Sequence, residues 1–443
     1  MLFTAISDSK PTGAEVRLPL RVNFTWTFVG NAVYAACQWG MLSVLAKLGS
    51  PGTVGQFALG LAITAPVMMF LNLQLRGIQA TDASGQFVFG HYLGLRMATI
   101  LVSLVVIFGL IRFGDYEWQM GLVILAIGGA KAVESVNDIF YGLFQQRERM
   151  DLVACSMLIR GPLSLITLAS GYYLTRSLLV SVLGVAFCWT IVLLCYDIPR
   201  ASHLVRSCGL ERGIDSRCQP LMTTISPSWE SESLLRLTWL ALPLGMVMLL
   251  NSLNTNIPRY FIQKELGDAQ LGIFAAMAYF LVAGNTVVAA LGQSASPRLA
   301  KYFAARNINA YCRLLLRLAA IGVSLGMLGI LLAVAAGGPL LTVLYSAEFS
   351  KQVDVLVWLM IGATFTYIAA FLGYGMTAAR RFGVQLPLFA LVAASVTVLS
   401  YLLVPAWGLV GAAWAVVVAG IVQVVGSAGV IGHALTRIGK ELS

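Results

Sequence analysis

Charge is scarce in this chain of 443 residues: Asp, Glu, Lys and Arg make up 11% of it, where soluble domains carry about 25%. A soluble fold of this length could not cover its surface with so few. The 58% of hydrophobic residues must therefore face lipid over much of the molecule. Histidine is nearly missing, with 3 residues, and the 7 cysteines form neither a CxxC pair nor a metal-ligand spacing. No metal, catalytic or cofactor site is expected from them, and thiols within apolar stretches behave as small hydrophobes. Residues 1–21 lack an apolar core followed by a cleavage site, so no signal peptide is expected and insertion begins with the first spanning helix. Alternating segments of about ten residues are also missing, which argues against a membrane β-barrel.

What is present is a series of long apolar runs, and a helix needs about 20 such residues to cross a bilayer. Spans are expected near 22–45, 54–74, 92–112, 118–142, 153–174, 178–197, 236–257, 271–292, 313–336, 354–378, 385–403 and 408–434. The fold class is all-α, a polytopic membrane protein of about twelve helices. The widest gap, 198–235, is rich in Ser, Pro and Arg. It divides the chain into a first six-helix lobe (1–197), a basic linker (198–235) and a second six-helix lobe (236–443). Because six is even, both lobes start on the same side, and a repeat between them would be parallel. Lys47-Leu48-Gly49 leading to Gly55 and Phe57-Ala58 has a counterpart in Lys264-Glu265-Leu266-Gly267 leading to Gly272 and Phe274-Ala275.

The net charge of +10 raises the question of nucleic acid. Its distribution answers against it. Of the 29 Lys and Arg residues, 20 fall on the side of the N-terminus, 6 on the other and 3 within spans. That asymmetry follows the positive-inside rule, so both termini and the long linker are expected in the cytoplasm, with the chain in a bacterial inner membrane. Trp26, Trp118 and Trp407 stand near span ends, where the indole ring anchors at the interface.

Ionisable groups within a bilayer cost several kcal/mol unless paired or hydrated, so those present mark candidate sites. Arg96 lies in the third span; Lys131, Glu134, Asn137 and Asp138 in the fourth; Arg160 in the fifth; Asp197 at the end of the sixth. Lys131 and Glu134, three apart, share a helix face and form a ready internal pair. Arg96, Lys131 and Arg160 either fasten helices together or line a hydrated lumen for an anionic substrate, with Glu134 at hand as a local counter-charge for Lys131. Glu134 and Asp138 are the candidates for ion coupling. The first span carries Asn31, Tyr34, Gln38 and Trp39 on one stripe, and the seventh carries Asn251, Asn254 and Thr255, followed by Arg259. Such groups hydrogen-bond either between helices or to sugar hydroxyls.

Several short segments in order are similar to one family: Leu48-Gly49 through Gly55-Gln56-Phe57, Ile257-Pro258-Arg259-Tyr260-Phe261-Ile262, Leu271-Gly272-Ile273-Phe274-Ala275, Ser296-Pro297-Arg298-Leu299-Ala300, Leu344-Tyr345-Ser346-Ala347-Glu348-Phe349 and Ala379-Arg380-Arg381-Phe382. With six-plus-six helices they resemble the polysaccharide-exporter branch, the Wzx-type O-antigen flippases, of the multidrug/oligosaccharidyl-lipid/polysaccharide (MOP) superfamily. The resemblance covers essentially the whole chain. It implies a two-lobed, MATE-like fold with a central cavity and no enzymatic activity. The implied cargo is an undecaprenyl-diphosphate-linked oligosaccharide, moved by alternating access for O-antigen or exopolysaccharide synthesis. Basic lumenal groups would meet the diphosphate and polar stripes the glycan. Membrane lipids, a polysaccharide polymerase and a chain-length regulator are the further partners it suggests.

Two rivals remain open. A cation-coupled drug or metabolite antiporter of the same superfamily would want a carboxylate deep in its first lobe, often on the first helix, and span 22–45 has none. An integral-membrane polymerase or glycosyltransferase would place chemistry on a long outer loop. Asp115 and Glu117 instead sit in a turn of about five residues and read as a solvated turn.

Overall fold

A computed structural model describes residues 20–82, 85–114, 116–211, 225–379 and 382–442. Asp115, Arg380 and Arg381 lie outside them. Described elements are helical: α1 Leu20–Leu48, α2 Pro51–Leu71, α3 Leu75–Thr81, α4 Phe89–Phe113, α5 Trp118–Gln146, α6 Met150–Thr175 and α7 Leu178–Val192. One π-turn, Leu193–Asp197, joins α7 to α8 (Ile198–Glu211). There follow α9 Ser231–Ala304, α10 Ile308–Leu344, α11 Ala347–Ser350, α12 Val353–Ala378 and α13 Phe382–Leu442. Helical order thus runs from the sixth span into the stretch expected to be linker.

Among the described residues, ten helices are long and apolar enough to cross a membrane. Two of them, α9 with 74 residues and α13 with 61, are each long enough for two crossings. Both break at a glycine. Gly267 (φ 82°, ψ 178°) and Gly408 (φ 57°, ψ −136°) take backbone conformations closed to most side chains, and there the chain folds back. Counting each limb, the described helices make twelve passes, and the chain is a multi-pass membrane protein. We call the face where α1 begins proximal and the opposite face, which carries Gly267 and Gly408, distal.

Exposed side chains such as Leu101, Val105 and Phe108 on α4, and Leu328, Leu331 and Leu332 on α10, recur three and four apart. That spacing makes an apolar stripe on a helix that faces lipid. Trp118 and Trp407 are likewise exposed. Inward, α5 packs among α2, α3, α4 and α7, and α12 among α9, α10 and α13. The two groups meet chiefly along α2 and α9. At the distal end of that seam the backbones touch. A Cβ at Gly55 would collide with the Asp268 carbonyl, and one at Gly272 with the Pro51 carbonyl. The paired glycines seen in the sequence repeat are therefore the crossing point of the halves. Nearby, the Trp39 indole donates to the Tyr345 hydroxyl at 2.6 Å, which in turn donates to the Ala276 carbonyl at 3.0 Å. Phe280 packs edge-on against Trp39 at 5.3 Å. These contacts close the distal side between α1, α9 and the end of α10.

Candidate functional site

Polar residues on α5 recur at 131, 134, 138, 141 and 145, a spacing that puts these five on one face of the helix. That face borders a cavity of about 420 Å³. Its walls include Asn31 and Tyr34 of α1, Lys131, Glu134, Asp138 and Tyr141 of α5, and Arg160 of α6. Asn72, Gln74, Arg76 and Met248 also line it, with further methionines of α2 and α6. Along their helices Arg160 lies about 15 Å, and Glu134 about 18 Å, from the proximal ends, which is mid-bilayer depth. The cavity thus reaches from the membrane centre toward the proximal face.

Its charges fall into two groups. At the centre three donors converge on the Glu134 carboxylate: Lys131 Nζ at 2.7 Å, the Tyr34 hydroxyl at 2.8 Å and Arg160 Nη2 at 3.2 Å. The Lys131–Glu134 pair foreseen from spacing is present, and Arg160 shares its carboxylate. The Arg160 guanidinium is also enclosed by rings, 4.9 Å from the Tyr34 centroid, 5.0 Å from Trp189 and 5.7 Å from Tyr141. Desolvated contacts of this kind favour a cation by about 2 kcal/mol. Arg160 is 2% exposed, yet its Nε and Nη1 have no hydrogen-bond partner. Two buried donors are therefore unspent beside the cavity, an arrangement that costs energy unless something accepts from them.

Nearer the proximal face, Arg76 Nη1 donates to Asp138 at 3.2 Å and its Nε to Gln145 at 3.2 Å. Arg96 is fully buried, donates to the Asn72 side chain, and stands 3.9 Å from Asp138. It does not reach the cavity wall; it holds Asn72 and Asp138, which do. Behind the central group, Asn137 donates to Asp197 at 2.5 Å on the π-turn, a helix defect that often marks function.

The polar stripe of the seventh span does not join this cavity. Asn251 is exposed and Asn254 half-buried with its amide oxygen unpaired. Arg259 bonds through Nη1 to Asn256 at 3.2 Å. Tyr279 stands within electrostatic reach of Lys131 and Glu134 on one side and of Arg259 on the other, linking the two sets across the seam. Sequence reasoning missed Arg76, Asn72, Tyr141 and Trp189. Tyr141 could have been found by extending the α5 spacing. Arg76 reads as a loop charge, and becomes a wall residue only because Leu73 and Gln74, both at φ 52°, turn α3 back beneath α5.

The twelve passes form two six-pass groups that meet along α2 and α9, and the charged mid-membrane cavity lies chiefly within the first group. This is the fold of solved transporters of the MOP superfamily, the fold that the sequence resemblance implied. An inward-facing MATE family transporter of that superfamily matches with a TM-score of 0.62 at 12% identity, over 97% of each chain. The Vibrio cholerae MATE transporter VcmN matches with a TM-score of 0.62 at 14% identity, over 94% of this chain and 97% of that one. A MOP superfamily transporter from Pyrococcus furiosus gives 0.60 at 15% identity, over 98% and 99%. Among curated proteins the chain is 26% identical over 406 residues to the capsular polysaccharide biosynthesis protein CapF of Staphylococcus aureus, covering 91% of this chain and 97% of that one. No family model matches the chain.

Proposed function

We propose that this protein is a flippase for undecaprenyl-diphosphate-linked oligosaccharide, serving surface polysaccharide synthesis from the inner membrane. One observation carries the reading: the unpaired Nε and Nη1 of Arg160, buried at mid-membrane depth beside a cavity where Arg76, Lys131 and Arg160 face the carboxylates of Glu134 and Asp138. A diphosphate supplies the acceptors those donors lack, and guanidinium geometry suits phosphate oxygens. The relationship to a capsular polysaccharide biosynthesis protein supports the same cargo class. In this reading the proximal face is cytoplasmic, so the cavity receives lipid-linked cargo from the inner leaflet. Closure by Trp39, Tyr345 and the Gly55–Asp268 crossing holds the far side shut until the halves rock. No chemical step is involved, and a polymerase and chain-length regulator act on the delivered product.

A cation-coupled antiporter of the same fold needs a carboxylate free to take a cation. Glu134 has three donors already, and Asp138 is engaged by Arg76 and Arg96. That favours the flippase.

The test is where the cargo accumulates. Cells lacking the gene are expected to hold lipid-linked oligosaccharide in the inner leaflet and to lose surface polysaccharide. Unchanged surface polysaccharide together with lost drug resistance would select the antiporter instead.

A further inference from the structure

A second cavity is larger than the charged one. A vestibule of about 610 Å³ opens at the distal face, within the range of small-molecule sites. It spans both halves. Gln56 of α2, Glu117 and Gln119 at the start of α5, and Arg176 at the end of α6 line it from the first half. Gln263 and Asp268, on either side of the Gly267 break, line it from the second.

Its chemistry is opposite to that of the mid-membrane cavity. Among the described residues Arg176 is the one cation in the lining, and its Nη1 donates to the Leu48 carbonyl at 2.6 Å. Two carboxylates, Glu117 and Asp268, outnumber it. A diphosphate would meet net negative charge here. Three glutamines, each with two donors and an acceptor, and two carboxylates that accept only, match instead a ligand rich in hydroxyl groups. Tyr116, between α4 and α5, adds an aromatic surface for a sugar ring. Burial pushes its phenol upward, so it stays protonated and able to donate. Gln56 and Gln263 both approach the Asp268 carboxylate, so the hydrogen-bonding surface is continuous across the seam.

We propose that this vestibule is a second binding site, which takes the uncharged oligosaccharide head of the cargo at the distal face while excluding its diphosphate. The inference rests on the flippase reading and adds a place for the glycan apart from the anion. Occupancy would bridge Glu117 and Gln119 of one half to Gln263 and Asp268 of the other, beside the glycine crossing. A sugar seated there bears directly on the contact that must part for the distal side to open.

The experiment uses the full-length protein in nanodiscs. The probe is oligosaccharide released from its carrier by mild acid, so that it bears no diphosphate. Saturation-transfer NMR is expected to show the sugar protons contacting the wild-type protein. The Gln119→Ala and Gln263→Ala variants, checked for unaltered melting temperature, are each expected to lose most of that signal, and Gln263→Asn to restore part of it. Arg160→Ala is expected to lose transport of the lipid-linked form yet keep the oligosaccharide signal, which separates failure of this inference from failure of the flippase reading. No signal with the wild type, or a signal indifferent to both glutamine variants, overturns the proposal. A signal abolished by Arg160→Ala alone overturns it too, by moving the glycan to the mid-membrane cavity.

Discussion

Replacing Arg160 with alanine separates a structural from a substrate-binding role, because the surroundings fix how much each would cost. Breaking a buried ion pair and orphaning its partner costs about 3–5 kcal/mol. Glu134 would not be orphaned, since Lys131 at 2.7 Å and the Tyr34 hydroxyl at 2.8 Å remain. The loss then falls toward that of one charged hydrogen bond, about 1.5–3 kcal/mol, with part returned because a guanidinium no longer has to be desolvated. Such a change lies within the about 5–15 kcal/mol by which folded proteins are stable, so the variant is expected to insert and fold. Transport is a different matter. If Nε–H and Nη1–H donate to the cargo phosphate, removing them costs a similar amount, about 1.5–3 kcal/mol, or about tenfold to 150-fold in rate. The assay is movement of labelled lipid-linked oligosaccharide in inverted vesicles, read by an impermeant glycosidase at equal protein level. Arg160→Lys is expected to fall between, keeping charge but losing the planar fork and the ring stacking. A well-folded Arg160→Ala variant that transports at the wild-type rate would refute the reasoning.

Other substitutions probe the surroundings. Glu134→Gln leaves Lys131 and Arg160 without their shared counter-charge, and a drop of about 3–5 kcal/mol is expected in melting experiments; an unshifted transition would contradict the three-donor geometry. Gly55→Ala places a methyl against the Asp268 carbonyl. Insertion should be normal but distal closure incomplete, seen as faster labelling of a cysteine at position 38 by an impermeant maleimide. Tyr345→Phe removes the bonds to Trp39 and Ala276, about 1 kcal/mol each, and should raise the same labelling by a smaller amount. Asp138→Asn removes the carboxylate that Arg76 and Arg96 share. A loss of both stability and transport is expected, and intact transport would show that the proximal ion pairs are dispensable.

The passes were legible because lipid imposes length and composition on each span, and the breaks at Gly267 and Gly408 fall where the apolar runs pause. The α5 face was legible for a related reason: in an apolar helix the few polar residues stand out, and their three-and-four spacing puts them on one side. What could not be read was which partner each would find. Arg96 looked as suited to the lumen as Arg160, and only packing placed it behind Asn72. The Asn251 and Asn254 stripe shows the same limit, since a polar face says that protein or water lies opposite, not which cavity. Arg76 depended on a backbone reversal at Leu73 and Gln74 that no side-chain pattern announces. The distal vestibule draws on residues more than 200 positions apart in the chain, Gln56 and Gln263 among them, and its glutamines carry no periodic signal at all.

The triple grip on Glu134 has a consequence for selectivity. An empty cavity with bare arginines would fill with whatever anion diffused in, and chloride or free phosphate would compete at their cellular concentrations. Here Lys131 and part of Arg160 are occupied by a tethered carboxylate whose effective concentration is high because it is part of the same helix bundle. A small anion gains too little to displace it. A ligand that offers several phosphate oxygens together, and is itself held in place by a lipid tail, can. On the flippase reading, the internal carboxylate thus sets a threshold of valency and anchorage, below which a small anion does not take the cavity.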